Sequence, residues 1–258
     1  KLFEYSKKLG ITLFRTPFDT QSVDLLLKLK CPIFKIASHE ICHEELIEKV
    51  SKTKKPIIIS TGMASLEEIS KAYNIAKRNG VKDITLLYCV SNYPSKSSDF
   101  NLNNIKILKK KFKCRVGLSD HSNDNRVAIA AIAAGAEVIE KHIGYENQKT
   151  GFDIDFSIKG KEIRKLINDI NIKYNFFLKK NFYRSNTEIK SRINRRSIFV
   201  VKKIEKGDKF NKTNIKVIRP GYGASPFNYQ RLIGKKSPKK FEAGEPITNY
   251  VVNKYKKN

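Results

Sequence analysis

Two histidines stand at positions where a divalent metal ion could be held. His121 and His142 each follow a short apolar run that is typical of a buried β-strand. If these runs are neighbouring parallel strands, their carboxyl ends meet at one edge of the sheet and both imidazoles face the same opening. Two neutral imidazoles, with water and substrate oxygens, form an open site for a Lewis-acid metal. Mn²⁺ fits such a site best, and Mg²⁺, Co²⁺ and Zn²⁺ are the alternatives.

Hydroxyl-bearing residues follow the other apolar runs and predict a site for an anion. Ser38, Ser60, Ser91 and Ser119 each stand directly after such a run, and Lys35 lies within one. Backbone amides, hydroxyl groups and one ammonium are the donors that a phosphate group requires. Any one of these serines could instead be a helix cap, but their convergence on one opening favours phosphate binding.

A third cluster, formed by Cys31, His39, Cys42 and His43, is a weaker candidate for a metal site. Its spacing does not match the ligand spacings of structural zinc motifs. The four cysteines of the chain are far apart and include no C-x-x-C pair, so we interpret them as reduced thiols of the core.

The elements that must position these groups alternate between strands and helices over the first 158 residues. A capping box, Ser65-Leu-Glu-Glu68, begins a helix that should end near Gly80, and an alanine-rich helix over 127–134 should end at Gly135. Six apolar runs predict buried parallel strands, namely Ile11–Arg15, Ile33–Ala37, Pro56–Ile59, Ile84–Val90, Cys114–Leu118 and Val138–Lys141. The pattern is that of a βαβ protein.

Two architectures fit this alternation, a doubly wound open sheet and a (β/α)8 barrel that is two units short. The residues that directly follow the strands are 22 to 31 positions apart, a regular spacing that favours the TIM barrel with about six βα units. No G-x-G-x-x-G sequence follows a strand, which argues against a dinucleotide-binding sheet. We therefore expect an α/β fold in which residues 1–180 form a barrel that is incomplete at its N-terminal side.

The sequence changes character beyond the sixth run. Lys159–Lys180 predicts a helix, and residues 181–196 are polar and basic and predict a linker. Residues 197–258 predict a small, mostly β domain. One pattern occurs twice in it, at Ile204–Phe210 and Phe241–Ile247, and in each copy a central glycine suits a turn with positive φ.

Composition excludes several classes of protein. Hydrophobic residues make up 40% of the chain and charged residues 30%, which excludes wholesale disorder. The sequence shows neither a run of about 18 apolar residues nor a signal peptide, so we expect a cytoplasmic protein without membrane contact. The net charge is +27, but Lys, Asn and Ile are abundant together, which is typical of coding bias. Nucleic acid is not expected as a partner. A basic nucleic-acid-binding module is the alternative, and a steep salt dependence of binding would reveal it.

The residues at the strand ends also carry a family resemblance. The segments are Thr16-Pro-Phe-Asp19, Lys35-Ile-Ala-Ser38-His-Glu40, Ile58-Ile-Ser-Thr-Gly-Met-Ala-Ser65, Cys89-Val-Ser-Asn-Tyr-Pro94, Gly117-Leu-Ser-Asp-His-Ser122 and Val138-Ile-Glu-Lys-His142. In this order they resemble the sialic acid synthase family. Ile218-Arg-Pro-Gly-Tyr-Gly-Ala-Ser-Pro226 and Ile233-Gly-Lys-Lys236 resemble the antifreeze-like or SAF domain of the same family.

This resemblance implies a TIM barrel joined to an SAF domain. The implied reaction condenses phosphoenolpyruvate with an N-acyl hexosamine such as N-acetylmannosamine, giving an N-acetylneuraminate-type sugar and phosphate. Pseudaminic and legionaminic acid synthases share these motifs and are alternatives. The implied assembly is a domain-swapped homodimer.

The resemblance also bears on the start of the chain. Family members begin with two further βα units that carry a catalytic Glu and a Lys/Gln pair, so we expect this chain to be inactive or nearly so. A non-catalytic sugar-binding fragment is the remaining alternative.

Carried over position by position, the resemblance also implies roles for individual residues. It assigns the metal to His121 and His142. Contacts with phosphoenolpyruvate are implied for Thr16, Lys35, Ser38, Ser60 and Ser119, and for one of Ser91 and Asn92. Contacts with the sugar are implied for Glu40, Tyr93, Asp153 and Arg219. The implied catalytic residues are Glu40, Lys35 and Asp153.

Overall fold

A computed structural model describes residues 1–176 and 181–255. The chain forms two compact units, Lys1–Lys180 and Asn181–Asn258, and each is described here by itself. No helix in the described ranges is long and apolar enough to cross a membrane.

The first unit is built on a parallel five-stranded sheet whose spatial order follows the chain order. Its strands are β1 (Phe34–Ile36), β2 (Ile57–Ser60), β3 (Ile84–Cys89), β4 (Arg115–Asp120) and β5 (Ile139–Lys141). In a doubly wound sheet the strand order reverses at a switch point, whereas in a barrel wall each strand lies beside its predecessor. The observed order is therefore that of a barrel wall.

The two ends of this wall differ from the sequence prediction. The run Ile11–Arg15 does not form a strand, and only Arg15 pairs with Phe34, in a single parallel bridge. At the other end, β6 (Ile143–Gly144) pairs in parallel with β7 (Ile158–Lys159), a strand that the sequence analysis missed. The wall thus continues by one short strand beyond β5, because the Ile158 amide donates to the His142 carbonyl.

Most helices of this unit bury an apolar face against the wall, whereas the first helix, Leu2–Lys8, has no buried residue. The capping box of α4 (Leu66–Arg78) is confirmed, since Ser65 Oγ accepts from the Glu68 amide and Glu68 accepts from the Ser65 amide. Gly80 and Gly135 both have positive φ just after helices, as predicted. The helix predicted over Lys159–Lys180 is observed over 160–175, and residues 177–180 lie outside the described residues. The helices of this unit are α1 (Leu2–Lys8), α2 (Thr20–Lys28), α3 (Glu44–Lys52), α4 (Leu66–Arg78), α5 (Asn103–Phe112), α6 (Asn125–Ala133) and α7 (Gly160–Asn175).

The core of the first unit lies between the sheet and these helices. Phe34, Ile59, Leu86 and Leu118 from successive strands are fully buried in it, as expected for parallel strands that are covered on both faces. The four cysteines are free, as predicted, but Cys42 is exposed and does not belong to the core.

The second unit contains two related halves. The antiparallel strands β8 (Ser197–Val200) and β9 (Ile215–Ile218) are followed by two short helices, α9 (Tyr229–Leu232) and α10 (Asn249–Asn253). The two copies of the repeated pattern pair with each other, because Ile204 and Phe241 exchange both backbone hydrogen bonds. Gly207 and Gly244 both have positive φ, as predicted.

The hydrogen bonds between these halves follow an approximate two-fold symmetry. The Gly207 amide donates to the Ser237 carbonyl, and the Gly244 amide donates to the Val200 carbonyl, so each bond maps onto the other at the 37-residue offset that separates Ile204 from Phe241. Pairs of apolar residues from the two copies close the core of the unit, with the rings of Phe210 and Phe241 6.1 Å apart.

The segment predicted as a linker, residues 181–196, is partly helical. Ser185 caps a short helix, α8 (Asn186–Lys190), by accepting from the Glu188 amide. This segment groups with the second unit, and the Ile193 carbonyl accepts from the Gly221 amide. Its polar sequence therefore reflects an exposed short helix rather than a chain without structure.

Candidate active site at the carboxyl ends of the parallel strands

A buried lysine forms the centre of the predicted anion site. The side chain of Lys35, the middle residue of β1, is 8% exposed, and its ammonium donates to Ser60 Oγ at 2.7 Å. The same ammonium lies 3.5 Å from a carboxylate oxygen of Glu140. The other oxygen of that carboxylate accepts from Ser119 Oγ at 2.7 Å. Four strands thus contribute to one hydrogen-bonded group.

Glu140 is the functional candidate that the sequence analysis did not assign. It stands two residues before His142, and alternate residues of a strand share a face. The two-residue spacing between Glu140 and His142 is therefore the sequence signal that could have placed Glu140 in the site. Its contact with Ser119 depends on the register between β4 and β5, in which Ser119 is paired with Glu140.

A glycine brings two of the predicted serines together. The Gly62 amide donates to Ser38 Oγ at 3.1 Å, which leaves the Ser38 hydroxyl proton available to a ligand. A Cβ placed on Gly62 would lie 2.0 Å from Ser91 Oγ and 2.8 Å from Ser38 Oγ. Only glycine lets these two hydroxyl groups approach the turn after β2 so closely. We call Ser38, Gly62 and Ser91 the serine cradle.

The two predicted metal ligands face each other. The rings of His121 and His142 are 5.2 Å apart between centroids. His121 Nδ1 lies 3.1 Å from the Val90 carbonyl oxygen, so Nδ1 carries the proton and Nε2 presents its lone pair. His142 Nδ1 lies 3.5 Å from a carboxylate oxygen of Asp153.

Their surroundings move the pKa values of the two imidazoles in opposite directions. Burial lowers the pKa of His121, but its contacts with the Cys89 thiol and the Val90 carbonyl outweigh burial and raise it overall. Burial and the neighbouring His121 lower the pKa of His142. The Cys89 thiol lies 3.9 Å from His121 Nδ1 and 3.5 Å from Ser91 Oγ, and so links the histidines to the serine cradle.

These residues fit a divalent metal bound by two imidazoles. The Val90 carbonyl fixes the tautomer of His121 that leaves Nε2 free, which is the form a metal requires. Among residues 1–176 and 181–255, no group of three or more His, Cys, Asp or Glu side chains could hold a metal. The remaining coordination positions would therefore fall to oxygen atoms of water and substrate, as in open catalytic sites.

Aromatic rings enclose the histidine pair. The Tyr93 ring lies 4.3 Å from that of His121, and the buried Phe156 ring lies 5.1 Å from that of His142. Burial raises the pKa of the Tyr93 hydroxyl, which keeps it protonated as a hydrogen-bond donor. Asp153 has a positive φ and precedes the short 3₁₀ turn that carries Phe156. The structure therefore brings Tyr93 and Asp153 to the histidines.

The remaining predicted residues lie around this centre or apart from it. Glu40 ends a 3₁₀ turn that begins at Ser38, and its Oε2 atom is buried without a hydrogen-bond partner among the described residues. Thr16 follows the bridge between Arg15 and Phe34 and is half-buried. Asn92 is exposed, and its carbonyl accepts from Ser95 Oγ.

Arg219 belongs to the second unit. It is exposed and follows β9 directly. Its contribution to a sugar site stays a prediction, as do the individual substrate contacts of the other residues.

Comparison with known proteins defines the class of this chain. Residues 1–178 match the NeuB family and residues 195–249 match the SAF domain. The chain belongs to the NeuB family, and the resemblance to sialic acid synthases, the partial TIM barrel and the SAF domain are confirmed.

Three similar proteins illustrate the relationship. The chain is 38% identical over 250 residues to the pseudaminic acid synthase of Helicobacter pylori, covering 96% of this chain and 73% of that protein. It is 39% identical over 253 residues to the N,N'-diacetyllegionaminic acid synthase of Campylobacter jejuni, covering 96% and 75%. The crystal structure of N-acetylneuraminic acid (sialic acid) synthetase from Leptospira borgpetersenii superposes with a TM-score of 0.69 at 35% identity, covering 74% of this chain and 66% of that one.

Proposed function

We propose that this protein is a nonulosonic acid synthase. The reaction joins the methylene carbon of phosphoenolpyruvate to the aldehyde carbon of an open-chain N-acyl hexosamine. It consumes one water molecule and gives a nine-carbon keto acid and inorganic phosphate. The observation that carries the proposal is a pair of side-chain groups at the ends of the same parallel strands. One is the anion site around Lys35, and the other is the imidazole pair of His121 and His142, which Cys89 connects to the serine cradle.

The anion site binds phosphoenolpyruvate. Within the anion site the Lys35 ammonium supplies the positive charge, and Ser60 and the serine cradle supply hydroxyl donors around it, while the Ser119 hydroxyl donates to Glu140. Such fixed donors hold phosphate and carboxylate groups at the place where charge develops during the reaction. Glu140 holds the ammonium in place before substrate binds, because it is hydrogen-bonded to Ser119 and ion-paired with Lys35.

The histidine side of the site binds the aldehyde. A divalent ion, with Mn²⁺ preferred, would supply Lewis-acid polarisation of the aldehyde oxygen when bound by His121 and His142. Tyr93 and Asp153 flank this position and orient the sugar hydroxyl groups. The Oε2 atom of Glu40, which has no hydrogen-bond partner in the described part of the chain, accepts from a further hydroxyl group of the sugar.

The substrate sugar is the finer part of the proposal. N-acetylmannosamine, giving N-acetylneuraminate, was the default expectation from sequence. The relatives that match 96% of this chain are pseudaminic and N,N'-diacetyllegionaminic acid synthases, whereas an N-acetylneuraminate-9-phosphate synthase from mouse matches 67%. This difference supports the substrate sugar of a pseudaminic or an N,N'-diacetyllegionaminic acid synthase. N-acetylmannosamine is kept as the competing substrate.

The second unit completes the sugar site in this proposal. Arg219 reaches the sugar from the SAF domain of a second subunit in a domain-swapped homodimer. The barrel mouth needs such a cover because water in the site weakens every electrostatic contact within it.

Calorimetric titration of the chain with phosphoenolpyruvate tests the assigned function. Binding should be lost in Lys35→Met, because the variant keeps the length of the side chain but lacks its charge. It should be unchanged in Lys49→Met, which removes the charge of an exposed lysine paired with Asp24. Equal affinity in the wild type and in Lys35→Met would refute the proposal. Calorimetric titration of each candidate sugar into the chain with phosphoenolpyruvate bound then identifies the substrate by its affinity.

A further inference from the structure

A buried ion pair lies directly beside both predicted metal ligands and has no role in the reaction as proposed. Lys141 and Asp120 have side chains that are 6% and 0% exposed, and their charged atoms are 2.9 Å apart. They are partners in the last register pair between β4 and β5. His121 and His142 are the next residues of the two strands.

This pair lies on the face of the sheet opposite the anion site. Ser119 and Glu140, one residue earlier on each strand, form the hydrogen bond of the anion site. Successive residues of a strand point to opposite faces. The carboxylate of Asp120 and the ammonium of Lys141 therefore do not take part in the anion site.

The hydrogen bonds of the pair close a ring around His121. The Lys141 ammonium donates to Asp120 and, at 2.6 Å, to the Ser122 carbonyl. The second carboxylate oxygen of Asp120 accepts from the Ser122 amide at 2.9 Å. Both chain neighbours of His121 are thus tied to the residue that immediately precedes His142.

An ion pair is a costly way to hold a strand end. Removing two charges from water carries a desolvation penalty, and well-packed neutral residues of similar volume are often equally stable. Ordinary ladder hydrogen bonds would suffice to pair the strands. The hydrogen-bonded ring of Asp120, Lys141 and Ser122 additionally fixes the position of His121 relative to His142.

We propose that Asp120 and Lys141 are positioning residues that set the relative placement of His121 and His142. The inference rests on the proposed function, because it assigns the pair a purpose in metal binding. The residues that touch a metal in active sites are commonly held by such outer contacts, and loss of these contacts typically lowers metal affinity about 10- to 100-fold.

The test is a double variant that removes both charges without leaving either one unpaired. Asp120→Asn combined with Lys141→Met retains the approximate shape of both side chains. The matched control, Asp24→Asn combined with Lys49→Met, makes the same chemical changes at an exposed ion pair. Circular dichroism and a thermal melt establish that each protein is folded. If the double variant does not fold, Lys141→Arg, which keeps both charges paired and changes only the geometry of the ring, is measured instead.

Nuclear magnetic resonance of ¹⁵N-labelled imidazoles provides the readout without any metal. The chain has four histidines, and His39 and His43 serve as internal references. At one fixed pH, the ring signals of His121 and His142 should shift or broaden in the double variant while the reference signals stay in place. All four signals should be unchanged in the control. Unchanged signals of His121 and His142 in a folded variant would overturn the inference.

Titration with Mn²⁺ alone provides the second readout. In the wild type, Mn²⁺ should broaden the signals of His121 and His142 first, and its dissociation constant should rise about 10- to 100-fold in the double variant. If Mn²⁺ leaves the His121 and His142 signals of the wild type unchanged, the metal site of the proposed function is contradicted. The metal-free ring signals would still decide the positioning role, so the two failures are distinguishable.

Discussion

Replacing Gly62 by alanine tests the serine cradle at its most crowded point. The new methyl group would lie 2.0 Å from Ser91 Oγ and 2.8 Å from Ser38 Oγ. The Ser91 hydroxyl must move by about 1.5 Å to restore an ordinary van der Waals separation. The hydrogen bond from the Gly62 amide to Ser38 Oγ, at 3.1 Å, must lengthen or break. Gly62 does not have a positive φ, so the backbone accepts alanine and the effect comes from crowding alone.

Gly62→Ala should lower both the free energy of unfolding and the affinity for phosphoenolpyruvate. Crowding of this kind destabilises a fold by about 1–3 kcal/mol. The two displaced hydroxyl groups also no longer point at the substrate anion, so their hydrogen bonds to it weaken. A hydrogen bond to a charged group contributes about 1.5–3 kcal/mol. Because 1.4 kcal/mol corresponds to a factor of ten in affinity, the dissociation constant for phosphoenolpyruvate should rise at least about tenfold.

The assay combines urea unfolding with calorimetric titration of phosphoenolpyruvate. Gly62→Ala combined with Ser91→Ala is the matched control, because it removes the oxygen nearest the new methyl group. The double variant should recover most of the lost stability but not the lost affinity, since one donor is now missing. Ser91→Ala alone gives the reference for that missing donor. If Gly62→Ala binds phosphoenolpyruvate as tightly as the wild type, the cradle is not part of the anion site.

Three further predictions concern the metal, pH and the second unit. His142→Ala should abolish Mn²⁺ binding, measured by calorimetry, while the thermal midpoint stays close to that of the wild type because the side chain is half-buried. Hydrogen bonds from Arg126 lower the pKa of Asp124 to about 2 from 3.8, so its ion pair stabilises the fold above pH 3.8 and this stability is lost as the pH falls through about 2. The difference in the free energy of unfolding between wild type and Asp124→Asn, from urea melts at several pH values, should shrink over that window. If the homodimer is domain-swapped, mixing Arg219→Ala with His142→Ala should restore a complete sugar site that neither variant has alone, detected by calorimetric titration of the sugar in the presence of Mn²⁺ and phosphoenolpyruvate. No recovery after confirmed subunit exchange would count against domain swapping.

The sequence predicted best those features that depend on local chemistry. The strands that carry Lys35, Ser60 and Ser119 are continuous apolar runs, which identify buried parallel strands without any knowledge of their neighbours. The capping box at Ser65 is likewise local. The placement of His121 and His142 opposite each other required only that neighbouring strands end at one edge.

Features that depend on distant neighbours were missed. Ile11–Arg15 has the composition of a strand, but Arg15 alone finds a paired residue on β1. In contrast, Ile158 and Lys159 form a strand too short to show periodicity, because β6 provides the edge on which they pair. The need for glycine at position 62 arises from side chains that follow two other strands, β1 and β3, and no local pattern reveals it.

The two-fold arrangement of the second unit has a consequence for how it unfolds. The turn at Gly207 is closed by Ser237, and the turn at Gly244 is closed by Val200, so each half supplies the acceptor that the other half needs. Neither of these two hydrogen bonds can therefore form before the chain between the halves has been folded back, and that closure costs entropy at the outset. Amide protons of Gly207 and Gly244 should accordingly exchange with solvent at similar rates, through one opening reaction that exposes both turns together.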